Sequence, residues 1–257
     1  MKSLNSKVKS WHNKSVWLIG ASSGIGMALA LELSQLGARV AVSARSQSAL
    51  YQLVLEHPSL YACAMDVQSG ESVARASEAV KAHQGLDWVI YLAGHYLAQD
   101  AKAFTYAEMF KHQDINYMGV CRVLNCVLPT LVSQGSGHVS LVSSVAGFVG
   151  LPKSLAYGPT KAAMINLGEC LYLELSPCGV GVSVVNPGFV KTPLTAQNTF
   201  EMPYLLMPKE AAQYMIEGWE RGEFEIHFPK VFTRVLKLLR ILPYSWYFAI
   251  IKKWVVR

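Results

Sequence analysis

A short apolar strand at 16–19 runs directly into Gly20-Ala21-Ser22-Ser23-Gly24-Ile25-Gly26 and then into a helical pattern over 25–36. A strand, a glycine turn and a helix in that order commit a chain to a β–α unit whose backbone turns sharply and then exposes a helix N-terminus. The alternation continues. Apolar runs at 40–43, 60–64, 88–91, 139–143 and 180–185 are separated by helical patterns at 47–56, 71–83, 106–133 and 156–175. Strands of this length between helices imply parallel β–α–β units with both sheet faces covered. The expected fold class is therefore α/β, one doubly wound parallel sheet flanked by helices. No stretch rich in Pro, Gly or Ser divides it. The division expected is a basic leader at 1–13, a catalytic domain at 14–228 and a C-terminal extension at 229–257.

Composition narrows the class further. Apolar residues make up 52% of the 257 and charged residues 16%, a balance that excludes intrinsic disorder. The five cysteines, Cys63, Cys121, Cys126, Cys170 and Cys178, are scattered and never spaced C-x-x-C; reduced, buried thiols are expected, and no metal site. The net charge of +6 belongs to the ends. Four lysines crowd the first 14 residues and seven basic residues the last 28, leaving 12 basic against 17 acidic residues elsewhere. Nucleic acid is therefore not an expected partner. The apolar run after the leader is too short for a signal-peptide core, and the one at 241–251 is too short to span a bilayer.

The glycine loop has a chemical reading. Gly20 permits the tight turn, Gly24 removes a side chain where a pyrophosphate would approach, and Gly26 lets helix and strand pack closely. Ser22, Ser23 and Ile25 complete the cradle, and the helix N-terminus offers free N–H groups to an anion. Strand two ends Ser43-Ala44-Arg45-Ser46. A carboxylate there would bind a ribose 2′-hydroxyl, but Ala44 stands in that place and Arg45 offers a planar fork to a 2′-phosphate. NADP(H) is thus expected over NAD(H).

Tyr157 and Lys161 stand four apart at a helix start, on one face. A free phenol with a pKa near 10 is a poor base, and a neighbouring cation favours its ionised form. Ser144 ends an apolar strand 13 residues upstream. With these residues the chain resembles the short-chain dehydrogenase/reductase family, in its branch of about 250 residues, over roughly residues 14 to 220. Gly20, Gly24 and Gly26 match its cofactor loop, and Asp66-Val67 its adenine site. Ala93-Gly94 match the turn after strand four. Asn116, Ser144, Tyr157 and Lys161 match its catalytic tetrad, and Asn186-Pro187-Gly188 with Val190 and Thr192 its nicotinamide segment.

The resemblance implies a single Rossmann-type domain and a mechanism. Tyr157 serves as general acid or base, Ser144 bonds the carbonyl oxygen, Lys161 lowers the tyrosine pKa and holds the ribose, and Asn116 holds a water. It also implies a homo-oligomer, dimer or tetramer. Two departures stand out. Tyr91-Leu92 replaces the family's Asn-Asn before Ala93-Gly94, from which altered local packing is expected. A basic, aromatic tail replaces the usual short end, which puts the usual tetramer contacts in doubt.

The segment 192–208 carries Leu194, Phe200, Met202, Tyr204, Leu205, Leu206 and Met207. Met and aromatic side chains suit a bulky apolar ligand. In the tail, Arg234, Lys237 and Arg240 share one helical face and Val235, Leu238, Leu239 and Leu242 the other; Tyr244, Trp246, Tyr247 and Phe248 follow Pro243. Such a pair of segments fits an interfacial membrane anchor over 231–257, an oligomer cover or a lid on the active-site mouth. The expected activity is an NADP(H)-dependent ketone–alcohol interconversion on an apolar, lipid-derived substrate. The expected location is cytoplasmic, on the inner face of a membrane if the tail anchors. A soluble 3-oxoacyl-carrier reductase and a non-catalytic NADP sensor or scaffold are the alternatives.

Overall fold

The computed structural model describes residues 3–198 and 200–254; the extremes of the leader and of the tail, 1–2 and 255–257, lie outside the described residues. Seven strands, β1 Ser15–Ile19, β2 Arg39–Ser43, β3 Leu60–Ala62, β4 Trp88–Tyr91, β5 Gly137–Val142, β6 Val180–Pro187 and β7 Glu225–Phe228, form one sheet in the order β3-β2-β1-β4-β5-β6-β7. Every pairing is parallel. The strand order reverses between β1 and β4, which opens a crevice at the C-terminal ends of the strands.

Alternation along each strand explains the two layers. Val16 and Leu18 of β1 face one core with α1 Gly24–Gln35, α2 Gln47–Glu56 and α7 Pro208–Glu220. Trp17 and Ile19 face the other, with α3 Gly70–Gln84, α5 Gly119–Gln134 and α6 Tyr157–Leu175. Helix α7 is not among the helices expected from the sequence patterns. Its signals are Pro208 at the first position and Ala211, Met215 and Trp219 buried at spacings of four.

The long helical pattern at 106–133 is two helices, α4 Tyr106–Gln113 and α5, joined by a π-helical turn at Asp114–Met118. The run Tyr106–Gln134 is long and apolar enough to cross a membrane by length and composition. Val120, Val123, Leu124, Val127 and Leu131, however, are buried against the sheet, so it reads as a core helix. Pro129 lies inside α5 rather than ending it.

The basic leader is bound to the body. Asn5 donates to the Val182 carbonyl at 2.8 Å and accepts from the Val182 N–H at 3.1 Å, and Trp11 packs edge-on against Trp88 and Trp219. The cysteines are free, but the expectation that all are buried fails: Cys170 and Cys178 are exposed, on the outer face of α6 and in the turn after it.

The tail forms α8 Lys230–Ile241 and α9 Tyr244–Trp254. Its faces differ from the expected division. Thr233 and Leu236 are the buried residues of α8, and Leu239 and Leu242 are half-buried, whereas Val235 and Leu238 point outward. Leu236 joins Val145 and Phe148 in a small third core. Lys237 pairs with Glu225 and lies 5.5 Å from the Phe148 ring centre, so it belongs to the body rather than to a free basic face.

Candidate active site

The crevice between β1 and β4 is a cavity of about 450 Å³. Its walls include Gly20, Ser22, Ser23, Gly24, Ile25 and Gly26 from the first loop, Arg45 from the end of β2, and Asp66 and Val67 after β3. Ala93, Gly94, Ser144, Tyr157, Lys161, Pro187, Gly188, Val190 and Thr192 also line it. Asn116 and Asn186 are not on the wall and lie fully buried behind it. Of the apolar residues expected in the 192–208 segment, Leu194 lines the crevice and Phe200, Met202, Tyr204, Leu205, Leu206 and Met207 do not.

The glycine loop fits a dinucleotide on its own geometry. Gly20 has φ +93°, and a Cβ there would sit 2.5 Å from the Ala93 nitrogen. Gly24 has φ +56° and faces Thr192. A Cβ on Gly26 would crowd the Gly20 carbonyl and come within 2.8 Å of the Ala21 Cα. Ser23 precedes α1 without capping it through its side chain, so the first N–H groups remain available to an anion. Arg45 is exposed and has no ion-pair partner among the described residues.

The other end of the crevice holds the catalytic candidates. Lys161 is buried, donates to the Val142 carbonyl at 2.9 Å and lies 5.4 Å from the Tyr157 ring centre. Burial lowers the Lys161 ammonium to about 7. Burial also pushes the Tyr157 phenol up, opposed by the neighbouring Ser144 hydroxyl. Both shifts favour an uncharged pair, so the lowered tyrosine pKa expected from the resemblance is not a property of the protein groups alone.

Asn116 sits in the π-helical turn, where widened backbone often serves a function. Its carbonyl oxygen accepts from the His95 N–H at 2.7 Å, and its amide donates to the His95 carbonyl and the Thr160 hydroxyl, each at 3.0 Å. The side chain is thus a brace between the loop after β4 and the start of α6. Tyr91, which replaces an expected asparagine, donates its phenol to the Ile115 carbonyl at 2.6 Å. Gly119 leaves room for that ring. Asp114 in the same turn is held below the usual carboxylate range: burial raises it, but hydrogen bonds from Gln68 and Arg122 outweigh that.

Sequence reasoning missed three contributors. Lys111 lines the crevice from α4, one turn before Ile115, which also lines it. His95, the residue after the Ala93-Gly94 turn, is on the wall. Tyr96 stacks edge-on against Tyr157 with ring centres 5.1 Å apart, and its carbonyl accepts from Gln197 of the 192–208 segment at 2.6 Å. Only position could have pointed to Tyr96, because a tyrosine in a loop carries no periodic signal. His95, Glu108 and His112 cluster as metal ligands might, but His112 has both ring nitrogens occupied, by the Glu108 carbonyl and the Leu97 N–H. No lone pair is left there for a cation.

Comparisons with known proteins agree with this geometry. The family model described as short chain dehydrogenase matches residues 14–202. An uncharacterized oxidoreductase of Myxococcus xanthus is 35% identical over 229 residues, 87% of this chain and 90% of its own length. One of Staphylococcus epidermidis is 35% identical over 184 residues, 70% of this chain and 80% of its own. Among solved structures, a short chain dehydrogenase from Burkholderia cenocepacia in complex with NADP has a TM-score of 0.82 at 25% identity, over 94% of this chain and 98% of its own. One from Burkholderia phymatum in complex with NAD has a TM-score of 0.82 at 21% identity, over 90% and 94%, and shares the fold. The chain belongs to the short-chain dehydrogenase family, oxidoreductases that act on CH–OH groups with NAD(P).

Proposed function

We propose that the chain is an NADP(H)-dependent enzyme that interconverts an apolar, lipid-derived ketone or aldehyde with its alcohol, with Tyr157 as general acid and base. The observation that carries this reading is the convergence of Ser144, Tyr157 and Lys161 on one end of a crevice whose other end is the glycine loop and Arg45. When bound, the nicotinamide gives or takes the hydride. Burial keeps Tyr157 a neutral phenol, the form that donates a proton to a developing alkoxide. The Ser144 hydroxyl stands beside it to bond the same oxygen. Lys161 positions the ribose from the buried floor. Asn116 is a positioning residue; both of its N–H donors are engaged, by the His95 carbonyl and the Thr160 hydroxyl. The expected water would therefore have to donate to its carbonyl oxygen, which accepts one bond, from the His95 N–H.

Ala44 at the carboxylate position and the unpaired Arg45 support NADP(H), with Lys111 as a second cation on the wall. On the substrate side, Tyr96 covers Tyr157, and Phe200 packs on Phe189, which in turn meets Phe232 of α8. With Leu92, Val142, Pro193 and Leu194 on the crevice wall itself, these surroundings suit an apolar substrate. The outer faces of α8 and α9 expose Val235, Leu238, Ile241, Trp246 and Phe248 beside Arg234, Lys252 and Lys253, a combination that supports peripheral membrane contact. A homo-oligomer is proposed with it, since Phe110, Met118 and Leu173 expose apolar surface on the α4–α6 side.

Calorimetric titration of NADPH and NADH into the wild type and Arg45→Ala tests the cofactor reading. An exposed guanidinium on a phosphate contributes about 1–2 kcal/mol, so the variant should lose about 5–30-fold in NADPH affinity and almost none in NADH affinity. Equal binding of the two cofactors by the wild type overturns the NADP(H) assignment, and binding of neither overturns the enzyme reading.

A further inference from the structure

A second cavity, of about 520 Å³, lies where α8 and α9 meet the body and shares no lining residue with the cofactor crevice. Phe148, Leu155, Pro159, Leu239 and Leu242 make its walls apolar. None of its lining residues is acidic, and its one charged group is Arg240, in the last turn of α8. Arg240 has no ion-pair partner among the described residues.

We propose that this cavity binds a free medium-chain fatty acid, with the chain against the apolar walls and the carboxylate on Arg240. The volume lies in the range of about 300–1,000 Å³ that accommodates one small-molecule ligand; a two-chain phospholipid asks for more. A single guanidinium matches a planar carboxylate through two parallel N–H donors. A neutral alcohol of the same length would leave that charge unanswered. The ligand is distinct from the carbonyl substrate, because a carboxylate is not the group that hydride chemistry at Tyr157 acts on. Its position is nonetheless consequential. Gly158 and Pro159 follow Tyr157 directly and Ala146 lies two residues after Ser144, so the bound chain rests on the backbone that carries both side chains.

The test is calorimetric titration of decanoate, below its micelle concentration, into the full chain. The expected result is saturable binding of one molecule per chain. Loss of the charge-assisted bond in Arg240→Gln should weaken it about tenfold or more, with decanol binding the wild type no better than decanoate binds the variant. Leu242→Trp, which narrows the cavity, should abolish binding, and Tyr157→Phe should leave it unchanged. Non-saturable binding, or equal affinity of Arg240→Gln for decanoate, overturns the proposal. So does competition between decanoate and NADPH, which places the molecule in the crevice instead. A chain that ignores decanoate but forms a dimer lost in Leu242→Trp would show that a second copy covers the cavity. Binding of phosphatidylcholine vesicles without any binding of decanoate would assign the surface to a bilayer; either outcome overturns the fatty-acid site.

Discussion

Gly24→Ala separates the backbone requirements of the phosphate loop from those of the fold. Gly24 has φ +56°, a region where a Cβ costs about 1–2 kcal/mol. The added methyl would sit 3.0 Å from the Thr192 Cγ2 and 3.2 Å from its Cβ, side-chain atoms that can yield slightly. Crowding of that kind adds up to about 1 kcal/mol. A total near 2 kcal/mol lowers the melting temperature by about 4–8 °C for a chain of this size, and the protein stays folded. Cofactor binding should suffer more. Gly24 opens α1, and displacing its N–H from a pyrophosphate oxygen removes about 1.5–3 kcal/mol, about 10–150-fold in NADPH affinity. The double variant Gly24→Ala/Thr192→Ser removes the crowded Cγ2. It should recover the crowding part of the stability loss and little of the affinity. Differential scanning calorimetry and NADPH titration on the wild type, Gly24→Ala, Thr192→Ser and the double variant read both quantities. A folded Gly24→Ala protein with wild-type NADPH affinity would refute the pyrophosphate assignment. Failure of the double variant to regain stability would refute the contact argument.

Two further outcomes concern the body and the tail. Burial holds His138 down to about 3 and His227 to about 4 and also lowers His112. Histidines with folded pKa values below their unfolded value of about 6.5 favour the fold fully above that pH, and this contribution fades as pH falls toward the folded values. At pH 5 the loss from His138 alone is about 2 kcal/mol, so urea midpoints should fall less between pH 7.5 and pH 5 in His138→Gln than in the wild type; equal falls would show that His138 is not buried neutral. On the tail, Leu238→Glu/Trp246→Glu should abolish co-flotation with anionic liposomes without changing the melting temperature, because both side chains point outward at 65% exposure. Absence of flotation by the wild type would remove membrane contact from the account.

Much of the fold was legible because apolar runs and helical periods alternate with little ambiguity, and because glycines cannot be exchanged where a backbone passes as close as Ala93 does to Gly20. The candidate site was legible through spacing: Tyr157 and Lys161 one helical turn apart, and Ser144 at the end of β5. Other features needed the third dimension. The π-helical turn around Asn116 has no period of its own, and it accompanies Tyr91 bonding the Ile115 carbonyl from a neighbouring strand. The stacking of Tyr96 on Tyr157 joins residues 61 apart, and the loop that carries Tyr96 has no pattern. The tail misled in a specific way. Its apolar arc is wide enough for both an inner and an outer face, so periodicity located the arc but not the half that Leu236, Tyr247 and Ile251 bury. The leader reads as solvated by its lysines, while Asn5 and Trp11 between them bind it down.

The central claim is that Tyr157 moves the proton in a hydride-transfer reaction carried out in the crevice. The most direct measurement is the oxidation of NADPH, followed optically with a series of medium-chain apolar ketones, by the wild type and Tyr157→Phe, with NADPH affinity measured on both. Removing a general acid typically costs about 10²–10⁴-fold in turnover. The account predicts a loss of that size with NADPH affinity changed less than about threefold, since the phenyl ring still fills its buried place against Tyr96. Turnover by Tyr157→Phe within a factor of a few of the wild type would contradict it.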